Sequence, residues 1–399
     1  MINLQILFAI VFVIVLSLLL VIGRKRIQLQ RIFFPFIYII LYRTKVGIKF
    51  MDWVANKYRE YVKLFGYISI GVGFIGMAFI SYAIIAIMVK LVFQPETTTS
   101  SMVLVLPFTN IPGIGFLPFT HWIIAIFILA VVHEFSHGVV ARAHGLEVKA
   151  SGFAVLGLLV PIIPAAFVEP DEKKMAKQSD VVQYSILSAG PVSNIALAFI
   201  ILGVMLLIFV PVEAKLTNPL GFSFDLTNET LPAAEAGLEN GMIVIEFNDE
   251  EVKDYTYFLN KMQHAIEPGD NITFKTENET FVVATVPNPE DPSKPLIGVS
   301  NIRNEAKVVE GREGFASVFF WFKDLFKWLF LLNFFIGLAN LMPLGIVDGG
   351  RMLQISLHKL VKDKKRAQKI WSFISIMFLV FLFFGLITTY VGNPFAFFS

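Results

Sequence analysis

The 399-residue sequence contains no cysteine. Disulfides and thiolate zinc ligands are therefore excluded, so any metal ion must be held by His, Asp or Glu. Charged residues are also scarce, at 16% against about a quarter in an average soluble domain. Because the net charge is only +2, nothing indicates nucleic acid as a partner. Low charge, 56% apolar residues and 41 phenylalanines together predict a polytopic membrane protein.

Long apolar runs predict six membrane-spanning helices, since about 20 apolar residues cross a bilayer as a helix. The predicted spans are 4–22, 67–88, 119–141, 181–210, 315–341 and 370–391. The first has no basic residue ahead of it, so we interpret it as a retained anchor rather than a cleaved signal peptide. Residues 33–42 are apolar but too few to cross, which suits an interfacial or partly inserted segment.

Residues 150–168 are numerous enough to span but contain two closely spaced prolines, Pro161 and Pro164, which break a helix. Irregular backbone is tolerated at membrane depth only where it lies against protein. We therefore expect irregular or β-like backbone that dips into the membrane without crossing it.

Basic residues cluster in the loops after the first and third predicted spans and before the last one. The positive-inside rule places these three loops in the cytoplasm. With six spans, the N-terminus and the polar stretch at 213–314 then lie outside the cytoplasm. The predicted localisation is a cell membrane.

The third predicted span ends in His133-Glu134-Phe135-Ser136-His137. Residues four apart share one face of a helix, so His133 and His137 can hold one ion. Glu134 can take a proton from a water that zinc has made acidic. The pattern is typical of a metalloprotease. The alternative is a helix end whose polar side chains reach water.

A catalytic zinc site needs a third protein ligand and an open position. Asp348 is a better candidate than the other histidines, because it lies among prolines and glycines directly after the fifth predicted span. The third and fifth spans run in the same direction, so all three groups emerge at the cytoplasmic end. If residues 150–168 crossed, Asp348 would lie a bilayer away. A loop aspartate facing water is the alternative.

These motifs together resemble the site-2 protease family of intramembrane metalloproteases. His133–His137 matches its first signature. Residues 340–350, Asn-Leu-Met-Pro-Leu-Gly-Ile-Val-Asp-Gly-Gly, match its Asn-x-x-Pro-x-x-x-x-Asp-Gly pattern. Residues 190–194, Gly-Pro-Val-Ser-Asn, match its Gly-Pro-x-x-Asn.

The resemblance implies one zinc ion held by His133, His137 and Asp348, with Glu134 as general base. It also implies that Asn194 and Asn340 lie near the cleft. By itself, Asn194 can equally mark a kink and a helix–helix hydrogen bond. The segment after the third helix would match a family loop that receives substrate as an extended strand. The predicted substrate-positioning residues are Asn340, Asn194, Gly152, Phe153 and Ala154.

Residues 231–252 resemble part of a PDZ domain, with an alanine-rich turn, Gly-Leu and an isoleucine-rich strand. Met242 and Asp249 depart from the family's Gly-Asp and Asn-Gly positions. A helix at 255–266 and strands at 272–276 and 280–286 are predicted to follow. Leu220, Gly221 and Phe222 are predicted to form the loop that binds a peptide C-terminus through backbone N–H groups. A domain that only props or shields the core is the alternative.

The predicted fold is a polytopic α-helical membrane protein of about six transmembrane helices. It includes a membrane-embedded irregular or β-like loop and one extracytoplasmic α/β PDZ-like domain. The expected division is an N-terminal membrane region at 1–115, a PDZ-like domain at 212–312, and a catalytic membrane core at 116–211 and 313–399.

The predicted function is regulated intramembrane proteolysis. The expected partners are a single-span transmembrane substrate, the lipid bilayer and a peptide C-terminus at the PDZ-like domain, which filters or senses substrates. One alternative is a non-enzymatic membrane zinc carrier or sensor, which has no use for a base at Glu134. A second is a PDZ scaffold with a decayed protease core, against which the intact motifs argue.

Overall fold

The computed structural model describes residues 2–24, 27–33, 37–94, 102–111, 113–158, 160–289 and 291–392. Two compact units are present. The first comprises Met1–Val204 and Asp324–Ser399, and the second comprises Met205–Lys323.

The described helices are given in chain order. They are α1 Ile2–Ile22, α2 Ile48–Lys57, α3 Arg59–Phe93, α4 Phe119–Ala143, α5 Glu172–Met175, α6 Asp180–Val204, α7 Val210–Leu216, α8 Pro232–Glu235, α9 Tyr255–His264, α10 Glu313–Ala339, α11 Asp348–Leu360 and α12 Lys364–Val391. A π-helical segment, Met205–Phe209, joins α6 to α7.

The described strands are also given in chain order. They are β1 Ile27–Phe33, β2 Ile37–Thr44, β3 Asn110–Ile111, β4 Gly115–Phe116, β5 Val148–Leu158, β6 Val160–Pro170, β7 Thr217–Leu226, β8 Ile243–Val244, β9 Glu246–Phe247, β10 Glu250–Glu251, β11 Asn271–Lys275, β12 Thr280–Ala284, β13 Val286–Pro287, β14 Pro295–Leu296 and β15 Val299–Val308.

Within the described residues, five helical segments are long and apolar enough to cross a membrane. They are Leu4–Ile22, Arg59–Phe93, Phe119–Ala143, Asp180–Leu216 and Lys364–Val391. Five of the six predicted spans are thus confirmed, and the chain is a multi-pass membrane protein. The remaining one, 315–341, is helical in α10 but carries Lys323, Asp324 and Lys327 and is not among the five.

The charges of α10 are paired. Lys323 makes an ion pair with Glu213 of α7 within the second unit. Within the first unit, Asp324 Oδ1 lies 2.6 Å from Lys327 Nζ, and Asp324 Oδ2 lies 3.7 Å from Nε2 of the buried His121 on α4. Pairing lowers the cost of placing these groups in an apolar environment.

The core of the first unit is formed where α3, α4 and α6 pack together. Small residues permit the close approach of α3 to α6. A Cβ added at Gly66 would lie 3.2 Å from Cβ of Ser185, and one at Gly73 would lie 3.1 Å from Cβ of Ser188. Contacts of this kind are typical of helices that associate in membranes.

A four-stranded antiparallel sheet, in the order β1-β2-β5-β6, belongs to the first unit. The β-like backbone predicted for residues 150–168 is confirmed as the β5–β6 hairpin. The segment 33–42, predicted to be interfacial, contributes most of β2 to the same sheet, and residues 34–36 of it lie outside the described residues. Its pairing with β5 is a long-range contact that a short apolar run does not reveal.

The sheet corrects one prediction about substrate binding. Gly152, Phe153 and Ala154 lie in β5, an interior strand. Each is paired on both sides, for example Phe153 with Tyr42 of β2 and with Ala166 of β6. Their backbone groups are therefore not available to an added strand. The edge strand of the described sheet on this side is β6.

The second unit contains the sheets β15-β7-β8 and β10-β9-β11-β12 around a core rich in phenylalanine. Phe258 of α9 packs on this core, with its ring centroid 5.0 Å from that of Phe222. The predicted helix at 255–266 is confirmed as α9. The predicted strands at 272–276 and 280–286 are confirmed as β11 and as β12 with β13.

Leu220, Gly221 and Phe222 form part of a strand and not the predicted loop. These residues lie inside β7, where Phe222 is paired with Asn304 of β15 and with Val244 of β8. The Phe222 side chain is fully buried. A Gly-Phe pair is common in both loops and strands. Here it lies in β7, which pairs with β15 on one side and with β8 on the other.

Candidate metal centre

Three side chains from distant parts of the sequence converge in the first unit. His133 and His137 lie one turn apart on α4, and Asp348 is the first residue of α11. The two Nε2 atoms are 3.1 Å apart, and Asp348 Oδ2 lies 3.1 Å from Nε2 of His133 and 3.3 Å from Nε2 of His137. The structure thus brings the three predicted ligands together.

The spacing of these atoms fits a zinc ion. For tetrahedral zinc with ligand distances of about 2.0–2.1 Å, ligand atoms lie about 3.3–3.4 Å apart. The observed separations of 3.1–3.3 Å are close to this value. Two imidazoles and a carboxylate are also a donor set that zinc accepts. Among the described residues, these three form the cluster of His, Asp and Glu side chains suited to a metal ion.

A glycine pair places Asp348. The backbone N–H of Gly349 donates to the carbonyl of Asn340 at 2.8 Å, which closes the loop between α10 and α11. A Cβ at Gly349 would lie 2.2 Å from the carbonyl oxygen of Leu341, and one at Gly350 would lie 2.0 Å from that of Leu344. Only glycine permits this approach, so the Asp-Gly-Gly run is a packing requirement as well as a chemical one.

The two imidazoles are held from behind by α6. His137 Nδ1 lies 2.6 Å from the carbonyl oxygen of Ile186. A proton on Nδ1 makes this hydrogen bond and leaves Nε2 as the ligand atom.

The other ring contacts the fully buried Asn194, whose Nδ2 lies 3.3 Å from His133 Nδ1. Among the described residues, Asn194 Oδ1 has no hydrogen-bond partner. Rotating the amide by about 180° brings Oδ1 next to Nδ1. Oδ1 is then the acceptor for the Nδ1–H of a neutral histidine that binds metal through Nε2. Asn194 is not among the residues that line the cavity. Its side chain contacts His133, so the predicted contact with substrate is replaced by a contact with this candidate metal-binding residue.

Gly190 explains how α6 reaches the histidines. A Cβ at this position would lie 2.3 Å from His137 Nε2 and 2.9 Å from His133 Cε1. Any larger side chain would displace the ligand atoms. The Gly-Pro-x-x-Asn run therefore combines a close approach at Gly190 with the amide of Asn194 one turn later.

A cavity of about 380 Å³ opens beside the three ligands. Its lining includes Glu134, Asn340, Phe167, Val168, Glu172 and Arg351. Glu134 Oε2 accepts a hydrogen bond of 2.9 Å from the backbone N–H of Val168. At the margin, Arg351 Nη2 lies 3.5 Å from Glu172 Oε1.

Some of these residues were missed at the sequence level. Arg351 follows Asp348 by three positions on α11, so helical spacing was a usable signal. Val168 and Ile186 act through backbone groups, for which side-chain identity gives no signal.

His144 caps the C-terminal end of α4, beyond the predicted span. Its Nε2 lies 3.1 Å from Ser185 Oγ, and its ring packs against Tyr67. Burial, together with the positive charges of Lys63 and Arg59, lowers the pKa of His144 below its ordinary value of 6.5. This group is neutral near pH 7 and is distinct from the metal-binding pair.

Known proteins resemble this chain over most of its membrane part. The model of peptidase family M50 matches residues 121–382. An uncharacterised protein of Methanocaldococcus jannaschii is 27% identical over 330 residues, which cover 81% of this chain and 78% of that protein. The regulator of sigma-W protease RasP of Bacillus subtilis is 24% identical over 243 residues, 49% of this chain and 56% of that protein.

Among solved structures, the PDZ domain of an SdrC-like protein from Listeria monocytogenes is 21% identical and has a TM-score of 0.18. The matched region covers 20% of this chain and 86% of that domain. The family match extends from α4 to α12 and includes all three converging side chains. The chain therefore belongs to peptidase family M50, the site-2 protease family, and is an intramembrane metalloprotease of the site-2 type.

Proposed function

We propose that this protease hydrolyses a peptide bond within or near a transmembrane segment of a membrane-protein substrate. One zinc ion is held by His133, His137 and Asp348, and Glu134 is the general base. The observation that carries the proposal is the convergence of three ligand atoms within 3.3 Å of one another beside a cavity that Glu134 also lines.

When bound, the zinc ion supplies Lewis-acid polarisation of the scissile carbonyl and acidifies the attacking water. Glu134 takes the proton of that water and returns it to the leaving amine. Asn340 lines the same cavity, and its amide donates a hydrogen bond to the substrate backbone. Asn194 and the carbonyl of Ile186 hold the two ligand rings in orientation.

The substrate binds as an extended strand along the outer edge of β6. A helical amide is hydrogen-bonded within its own helix, so the substrate must unwind before it is cut. Extended peptides bind sheet edges through main-chain hydrogen bonds. The N–H of Val168 points away from β5, because it donates to Glu134.

Alternation along β6 defines which groups the substrate meets. Ala166 and Pro164 share the outward direction of Val168, since backbone groups alternate with period two. Pro164 offers only a carbonyl. Ala166, which lines a pocket together with Glu134, therefore provides the complete donor and acceptor pair, and the register of the substrate is set there.

The six-span topology remains part of the proposal, with α10 as the sixth span. The ion pairs of Lys323, Asp324 and Lys327 support its insertion. The positive-inside rule then places the metal centre towards the cytoplasm and both the N-terminus and the second unit outside it. Substrate enters from the lipid, and the product leaves on the cytoplasmic side.

The second unit acts as a substrate filter on the outer side. Its insertion points are adjacent, because Thr217 pairs with Val308 and the N–H of Val309 donates to the carbonyl of Leu216. Residues 217–308 can therefore be replaced by a short linker. A filter predicts that the shortened protein cuts substrates with bulky outer domains, whereas unchanged discrimination refutes the filter.

A cleavage assay tests the catalytic proposal. The wild-type protein and Glu134→Gln are compared in liposomes with a single-span substrate, and bound zinc is quantified in both. We expect one zinc per chain in each protein and cleavage only by the wild type. If both bind zinc and neither cuts any of a panel of unwindable substrates, a metal carrier becomes the better description.

A further inference from the structure

The general base touches the sheet that we propose binds the substrate. Glu134 Oε2 accepts the hydrogen bond of the Val168 N–H at 2.9 Å. Val168 lies in β6 opposite Ser151 of β5. Since an N–H has one proton to donate, this group takes no part in the β5–β6 ladder. The sheet is complete without it.

The sequence of β6 also favours a retained N–H at this position. Pro164 and Pro170 occupy the same outward direction as Val168, and both lack the donor. Between them, only Ala166 and Val168 present an N–H to this edge. The edge therefore tolerates proline, yet the position facing the base has a donor.

The hydrogen bond fixes the orientation of Glu134, which borders two cavities. Glu134 lines the cavity beside the metal ligands, and it also lines a second, apolar pocket of about 270 Å³ that includes Phe127, Val131 and Phe153. A glutamate has three rotatable side-chain bonds and can turn to either side. The Val168 N–H holds Oε2 at the sheet, and Oε1 is then the oxygen that takes the proton in the proposed mechanism.

We propose that the backbone N–H of Val168 is the positioning group of the general base, so that the edge strand that binds the substrate also orients Glu134. The inference rests on the proposed function of Glu134. Val168 is a positioning residue, since its N–H contacts the base and not the reacting atoms.

Proline scanning along β6 tests the inference. Val168→Pro removes the donor without removing a ladder hydrogen bond. We expect kcat to fall by about 10- to 100-fold, the order expected for a base displaced by about 1 Å, with KM within twofold of wild type and zinc content unchanged. Val168→Ala keeps the N–H, so its kcat should fall far less than that of Val168→Pro.

Ala166→Pro is the matched control on the same edge, because it removes the donor offered to the substrate. We expect it to raise KM more than it lowers kcat, the reverse of Val168→Pro. If Val168→Pro does not fold, valine is replaced by its α-hydroxy acid through nonsense suppression, which converts the amide to an ester. A kcat within twofold of wild type for Val168→Pro or for the ester replacement, or a change in KM alone, overturns the inference.

Amide hydrogen exchange provides a readout without catalysis. The Val168 N–H should exchange at least about tenfold more slowly in zinc-loaded wild type than in Glu134→Ala, because the carboxylate is its acceptor. The Ala166 N–H, which faces the open edge, should exchange equally in both proteins. Equal exchange at Val168 overturns the inference even if the wild type cuts substrate. Slow exchange in a wild type that cuts nothing refutes the proposed function instead.

Discussion

Replacing Asn194 by leucine should weaken zinc binding without opening the site to water. The amide is fully buried and lies 3.3 Å from His133 Nδ1. Leucine has nearly the same shape but leaves the Nδ1–H of a bound, neutral His133 without an acceptor. An unsatisfied buried donor costs about 1–3 kcal/mol, which is about a 5- to 150-fold change in an equilibrium constant. Loss of a group that orients a ligand histidine typically costs about 10- to 100-fold in affinity.

The assay is competition for zinc against a chromophoric chelator, with the protein in detergent. We expect the zinc Kd of Asn194→Leu to rise about 10- to 100-fold. Asn194→Asp retains an acceptor and should bind at least as tightly as wild type. Asn333→Leu is the matched control, because Asn333 of α10 is equally buried and donates to the carbonyl of Leu329 rather than contacting a ligand.

Two outcomes decide whether Asn194 acts on zinc binding through His133. If Asn194→Leu weakens zinc binding and Asn333→Leu does not, the amide acts through His133. If both variants bind zinc as tightly as wild type, the contact between Asn194 and the ring contributes nothing, and our account of the Gly-Pro-x-x-Asn run is wrong.

Three further predictions concern other parts of the molecule. Gly190→Ala should abolish zinc binding, measured by metal analysis, because its Cβ would lie 2.3 Å from His137 Nε2. Gly203→Ala on the same helix is the control, since its Cβ would have nothing within 4 Å, and it should bind zinc normally. His144 has a lowered pKa in the folded protein, so the unfolded state binds more protons below about pH 6.5. The thermal midpoint of wild type should therefore fall from pH 7.5 to pH 5, and it should fall less in His144→Asn; equal slopes contradict this. Gly221→Ala, with φ of 135° and a Cβ that would lie 1.9 Å from the carbonyl oxygen of Val244, should destabilise the second unit by about 1–3 kcal/mol, seen as faster proteolysis there with unchanged zinc affinity.

The membrane helices and the ligand set could be predicted because their signals are local. An apolar run of the right length is sufficient for a span, and five of the six predicted spans are among those that the structure contains. Two histidines four residues apart share a helix face whatever surrounds them. Asp348 required one further expectation, the direction in which each predicted span crosses, which was drawn from the basic loops.

The pairing of strands could not be predicted in the same way. Gly152, Phe153 and Ala154 are β-structured, as expected, but β2 covers one side of them and β6 the other. The partner in each case lies in another segment, about 110 residues away for β2, so the free edge depends on a contact that no local pattern encodes. The same reason explains Phe222, which β15 converts from a predicted loop residue into part of an interior strand.

The sequence by itself determined the membrane class and the three side chains that could hold a metal ion, since these depend on residue types and helical spacing. The tertiary structure alone decided which backbone groups face the site. It showed that α6 places Asn194 behind His133 and not in the cavity, and that the Val168 N–H reaches Glu134. Every residue except proline has the same N–H and carbonyl, so their roles are set by packing and strand register, which appear only when the chain is folded.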